Sequence, residues 1–166
     1  MKPRQAELKA TEGPSLLLQR VVSLLEGEGD WIAALATVAC EVHHSSDRFH
    51  WTGFYRLQGG ELVIGPYQGG HGCLRIPLER GICGAAARSR ATQRVADVST
   101  RPDHIACSTS TRSELVVPVL DEDGVLLAVL DIDSDLPAAF TAQDQREMEA
   151  ICAELGRRFS GHQHLA

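Results

Sequence analysis

The sequence predicts an α+β domain, one antiparallel sheet with helices packed mainly on one face. Three observations carry that prediction. Two stretches with apolar residues at helical spacing come first, hairpins with period-two patterning follow, and one more helical stretch closes the chain.

Residues 1–13 are polar, contain Pro3 and Gly13, and read as a mobile N-terminal tail. A single domain is expected over 14–160, and a short C-terminal tail over 161–166. From Ser15, the apolar residues Leu16, Leu17, Val21, Leu24 and Leu25 recur at helical spacing up to Gly27. Asp30 is placed to cap a second helix carrying Ile32, Leu35, Ala36, Val38, Ala39 and Val42. The aromatic-rich run 49–57 predicts a strand, Gly59-Gly60 a turn, and 61–67 its hairpin partner. A short strand is expected over 74–78, a small-residue helix over 81–90, another short strand over 93–98, and a polar loop over 99–112. The strongest strand signals are 114–120 and 125–133, joined by a turn over 121–124. Pro118 would normally push its strand toward an edge, but the flanking alternation keeps it a strand. Thr141 followed by Asp144 starts a last helix, expected to run to about Phe159.

Composition narrows the function classes. At 166 residues, 43% hydrophobic and 23% charged, the chain has the makeup of an ordinary soluble globule. A formal charge of −6 with two lysines leaves no broad cationic face, which argues against nucleic acid as a partner. No segment approaches the ~20 apolar residues of a membrane span. The first residues lack an apolar h-region, so no secretory signal is expected. Phosphate-loop, dinucleotide-fingerprint, zinc-protease and nucleophile-elbow motifs are all missing.

The 114–133 hairpin allows a geometric inference. A turn centred between Glu122 and Asp123 sets Glu114 directly across from Asp131, with Cβ atoms about 4.5–5.5 Å apart. Asp133 lies two residues on and shares that face. Three carboxylates therefore gather at one end of the hairpin. Like charges opposed across a sheet are destabilising, so structure alone does not call for them. Crowding should raise at least one pKa, giving a proton donor near neutral pH beside groups able to hold an ammonium. A solvated strand end is the plainer alternative.

The cysteines are five: Cys40, Cys73, Cys83, Cys107 and Cys152. An odd number without a secretory signal argues against a secreted disulfide framework. Cys40 and Cys152 lie within helical patterns and are expected to be buried and inert. Cys73, Cys83 and Cys107 lie in loops or at element edges, with Cys83 placed where a helix dipole would lower its pKa. Their C-x9-C-x23-C spacing lacks the usual zinc knuckles, although His71 and His104 could complete a ligand set. A Cys107–His104 nucleophile pair, thiol redox chemistry and plain structural cysteines all remain open. Trp51, Gly53 and Tyr55 share a strand face, either as core or as the wall of a small-ligand pocket.

The segment SELVVPVLDEDGVLLAVLDIDS resembles the signature hairpin of GAF domains, small ligand-binding α+β modules. WTGFY, IGPYQGGHGCLRIPLERGICG, RPDHIACS and SELVVP together resemble the free methionine-(R)-sulfoxide reductases, which are GAF proteins. The resemblance implies a GAF-like fold. It also implies Cys107 as nucleophile, Cys73 as main resolving cysteine, Cys83 as third redox cysteine, and Glu114, Asp131 and Asp133 as active-site acids. Trp51 and Tyr55 correspond to the aromatic pocket. Arg101 and Asp103 stand where Phe and Gly are common, and Ser108 where Asp is common.

The reaction so implied is attack of the Cys107 thiolate on the sulfur of free L-methionine (R)-S-oxide, with proton delivery from a carboxyl. A sulfenic acid forms on Cys107, a disulfide with Cys73 follows, and thioredoxin or a similar dithiol recycles it. The expectation includes no cofactor, no metal, a reducing cytoplasmic compartment and room for a homodimer. A GAF sensor without catalysis is the alternative; such modules usually carry output domains, for which 166 residues leave no space.

Overall fold

The computed structural model describes residues 13–161. The tails expected at either end fall almost wholly outside the described residues. In chain order the elements are α1 (Leu16–Leu24), α2 (Trp31–His43), β1 (Trp51–Gln58), β2 (Glu61–Gln68), β3 (Arg75–Pro77), α3 (Gly81–Ser89), β4 (Gln93–Val95), β5 (Ser113–Leu120), β6 (Leu126–Ser134) and α4 (Ala142–Arg158). A single 3₁₀ turn, Val98–Thr100, precedes the long loop to β5.

Helix starts follow the capping chemistry of the sequence. The Ser15 side chain accepts from Leu18 N, Asp30 from Ala33 N, and Thr141 with Asp144 forms a reciprocal capping box. The strand expected over 93–98 stops at Val95. Asp97 turns inward on its own backbone and accepts from Ser99 N, which starts the 3₁₀ turn instead.

The six strands form one antiparallel sheet in the order β3-β2-β1-β6-β5-β4. Period-two alternation divides it into two apolar layers. Phe54, Leu115, Val117, Leu130 and Ile132 join the buried faces of α1, α2 and α4 in one core. Tyr55, Val116 and Val129 join Ile82, Ala86 and Ala87 of α3 in the other. Each buried side chain of this size contributes roughly 1.5–3 kcal/mol. Three helices thus cover one face and α3 covers the other, as the α+β reading anticipates.

Two expectations need correction here. Cys40 is exposed, with its Sγ 3.7 Å from His44 Nδ1. It neighbours Val38 and Val42 in sequence, but residues two apart on a helix face different ways, and the buried stripe runs through Leu35, Val38, Ala39 and Val42. Cys152, by contrast, is buried in α4 against the Val117 carbonyl, as expected.

The β5–β6 register is the second. Glu114 pairs with Asp133, and Asp131 pairs with Val116. The connection does not fold as a two-residue turn. Asp121 N donates to Val125 O, the Asp121 carboxylate accepts from the backbone of Asp123 and Val125, and a bulge follows at Val119/Leu120. Pro118 pairs with Val129 of β6, but β4 pairing ends at Val116, so at Pro118 β5 is locally the edge of the sheet, where proline is tolerated.

Candidate active site

The site forms on the α3 side of the sheet. Odd residues of β1 and β6 and even residues of β5 point there, which brings Trp51, Gly53 and Tyr55 beside Asp131, Asp133 and Glu114. Trp51 is opposite Asp133 and Gly53 opposite Asp131. The loop from the 3₁₀ turn to β5 passes over this patch and carries His104, Cys107 and Ser108.

Cys107 is joined by a disulfide to Cys73, from the loop before β3, with Cα atoms 5.2 Å apart. It stands between two hollows. One is lined by Cys83, His104, Glu114, Asp131 and Asp133. The other is lined by Trp51, Tyr55, His71, Gly72 and the same two aspartates. Eight residues singled out in the sequence therefore converge: Cys73, Cys83, Cys107, Glu114, Asp131, Asp133, Trp51 and Tyr55. His71 faces the aromatic hollow and is separated from the one holding Cys83, so the four-ligand zinc set does not assemble.

Burial and mutual repulsion dominate the electrostatics. Glu114 and Asp131 are 5% and 6% exposed. Desolvation, then the charges of Asp131 and Asp133, push the Glu114 carboxyl well above the usual carboxylate range. Burial pushes Asp131 up to about 7, against hydrogen bonds with Cys83 and Glu114 that favour its ionised form. Asp133 is raised by burial, then by Asp131 and Asp135. The cluster therefore retains protons near neutrality. One buried oxygen, Asp131 Oδ1, has no hydrogen-bond partner, which is an open position for a donor from a bound molecule.

Cys83 departs from expectation. It lies in the first turn of α3 but is buried, and desolvation followed by Asp131, Glu114 and Asp133 pushes its thiol well above the ordinary value. A helix N-terminus favours a thiolate by about 1 kcal/mol, while burial of a charge among like charges costs several times more. Cys83, Glu114 and Asp131 hold donor atoms within 4.8 Å of one another, compact enough for a cation. An ammonium group fits that chemistry as well as a metal ion does, and no metal is assigned to it.

Tyr67 and the Gly70 carbonyl, which sequence reasoning does not single out, also contribute, and Arg101, Asp103 and His104 find partners. Trp51 stacks with Tyr67 at 5.4 Å and with Tyr55 at 5.9 Å, and Trp51 Nε1 donates to Gly70 O at 3.0 Å. Tyr67 reaches that face because β2 has one extra residue between Ile64 and Tyr67, which sets Tyr67 opposite Gly53. A uniform alternation from the Gly59-Gly60 turn puts it on the other face. Arg101 grips Asp103 through two hydrogen bonds of 3.1 and 3.3 Å, so the two departures from the family pattern pair with each other. His104 has a carboxylate neighbour, its Nε2 lying 3.6 Å from Glu114 Oε2.

Residues 28–158 match the family described as GAF domain. The chain is 37% identical over 133 residues to the free methionine-R-sulfoxide reductase of Escherichia coli, covering 80% of each chain. It is 39% identical over 142 residues to the free methionine-R-sulfoxide reductase of Saccharomyces cerevisiae, covering 81% of this chain and 79% of the yeast protein. Among solved structures, free methionine-R-sulfoxide reductase from Neisseria meningitidis in complex with its substrate aligns with a TM-score of 0.82, 41% identity and 86% of each chain covered. The reduced form of the Staphylococcus aureus protein aligns with a TM-score of 0.83, 38% identity, and coverage of 87% of this chain and 94% of that one.

Proposed function

Because the chain belongs to the GAF-domain free methionine-R-sulfoxide reductases, we propose a reading of its site in which each converging residue has a role. The activity is reduction of free L-methionine (R)-S-oxide to L-methionine, an oxidoreductase reaction. Cys107, as thiolate, attacks the substrate sulfur. A carboxyl of the Glu114–Asp131–Asp133 cluster gives a proton to the sulfoxide oxygen, which transfers to Cys107 as a sulfenic acid while methionine leaves. Cys73 then displaces that oxygen as water and forms the disulfide. The observation that carries this reading is the Cys73–Cys107 disulfide beside a buried, proton-retaining acid cluster.

The remaining carboxylates hold the substrate α-ammonium, and Trp51 and Tyr55 pack its side chain. A site that engages the free amino group excludes a methionine within a peptide. Cys83, buried and disfavoured as a thiolate, serves as a reserve redox group rather than the first to resolve. Cys73 is partly exposed beside Leu74, itself 73% exposed, so a thioredoxin-type dithiol has an approach to the disulfide.

The test is incubation with racemic methionine sulfoxide and dithiothreitol, with chiral separation of the remaining epimers. Loss of the (R) epimer alone is expected. No loss of either would point to a ligand-binding module without catalysis.

A further inference from the structure

We propose that His104 passes protons between solvent and the Glu114 carboxyl during turnover. The proposal rests on the reductase reading and makes His104 a positioning residue, acting through Glu114 and not on the substrate.

The reaction itself creates the need. Methionine sulfoxide, two thiolates and two protons become methionine, a disulfide and water, so two protons must enter the hollow in every cycle. Glu114 is 5% exposed. Around it stand Asp131 from β6 and Cys83 from α3, poor sources because they are buried as it is, and Asp133 from β6, which is partly exposed. On its outer side is His104, whose Nε2 lies 3.6 Å from Glu114 Oε2 and whose side chain is 16% exposed.

An imidazole suits this place. Its two nitrogens let it take a proton on one side and release another on the other, with no net charge left in the site. The loop holds the ring in position: His104 N donates to Arg101 O, three residues before Cys107. The charged groups facing it are Glu114 from β5 and, on its own loop, Arg101 and Asp103, which are paired to each other. Burial outweighs the raising effect of Asp103 and, with a smaller contribution from Arg101, holds the ring below its ordinary pKa, so it stays neutral and able to accept. Asp133, partly exposed, is the competing entry point.

The test substitutes His104→Gln, which keeps a polar side chain of similar reach but cannot accept and release protons in turn. In single-turnover reduction of methionine (R)-sulfoxide, a fall of about 10-fold or more in rate is expected. KM should stay within about twofold, the solvent deuterium effect should grow, the pH profile should change shape, and added imidazole should restore part of the rate. An unchanged rate and pH profile would mean protons enter elsewhere, by Asp133, and would overturn the proposal. So would a loss with no imidazole recovery and a matching rise in KM, which is a structural effect. A second measurement needs no turnover: the ring-nitrogen NMR shifts of neutral His104 in the substrate-free protein report which nitrogen carries its proton. With the protonated Glu114 carboxyl facing Nε2, that proton should sit on Nδ1, and Glu114→Leu should shift the balance. If it does not shift, the two groups are uncoupled and the relay fails, whatever the enzyme reduces.

Discussion

Glu114 stands directly across the β5–β6 ladder from Asp133, two like-charged residues at a position where such a pair weakens a sheet. With Asp131 two residues away on the same face, the cost is not relieved within the strand pair. It is relieved by protonation, since burial raises all three carboxyls and neighbouring charges add to it for Glu114 and Asp133.

That relief predicts how stability depends on pH. Asp131 is pushed up to about 7 in the folded protein from an ordinary 3.8, so between those values the native state binds the extra proton. Its contribution is fully present below the unfolded value and is lost as pH rises through about 7. Asp131→Asn should therefore be close to neutral at pH 4 and stabilising at pH 8. The gain is a few kcal/mol at most, each pKa unit being about 1.4 kcal/mol. Urea midpoints of the oxidised protein at the two pH values test this, and equal differences would refute it.

Cys107→Ser should remove reductase activity completely. Cys73→Ser should give a burst of one methionine per chain and then stall, because the remaining thiol, Cys83, is buried and held protonated. Rapid-quench measurement of methionine reads the burst. A steady-state rate equal to the parent's would take the resolving role away from Cys73.

Gly53→Ala should impair the aromatic wall. A Cβ there would lie 2.5 Å from Trp51 Cη2 and 2.5 Å from Tyr67 Cβ, so the stacked rings must part. A rise in KM of about 10-fold is expected, with about 1–3 kcal/mol of destabilisation from the overpacking. Kinetics and thermal unfolding report the two separately.

Gly156→Ala gives a sign opposite to helix propensity. Alanine normally gains about 1 kcal/mol over glycine inside a helix, but here a Cβ would collide with the Leu120 carbonyl where α4 crosses β5. Backbone cannot move aside as a side chain tip can, so about 2 kcal/mol or more of destabilisation is expected. Thermal unfolding compared with an exposed α4 alanine substitution checks it.

Much of the fold is legible in one dimension. Ser15, Asp30 and Thr141 announce their helices because capping is a contact between near neighbours in sequence. The apolar alternation of β5 and β6 announces both faces of the sheet. The acid cluster was legible for a related reason. A two-residue turn between Glu122 and Asp123 misses the register, but the five-residue connection and the bulge together shift it by two, and an even shift keeps every side chain on its face. Tyr67 shows the opposite case, since one extra residue in β2 reversed its face.

The sequence by itself determined the element order, the two-faced sheet and the grouping of Glu114, Asp131 and Asp133, because periodicity and capping act over a few residues. Tertiary structure alone decided the rest. It turned Cys40 outward, buried Cys83 beside Asp131 until burial outweighed its helix dipole, and set His104 against Glu114. These are contacts between loops and layers far apart in sequence. Desolvation, which sets the chemistry of each group, depends on what covers it, and no local pattern records that.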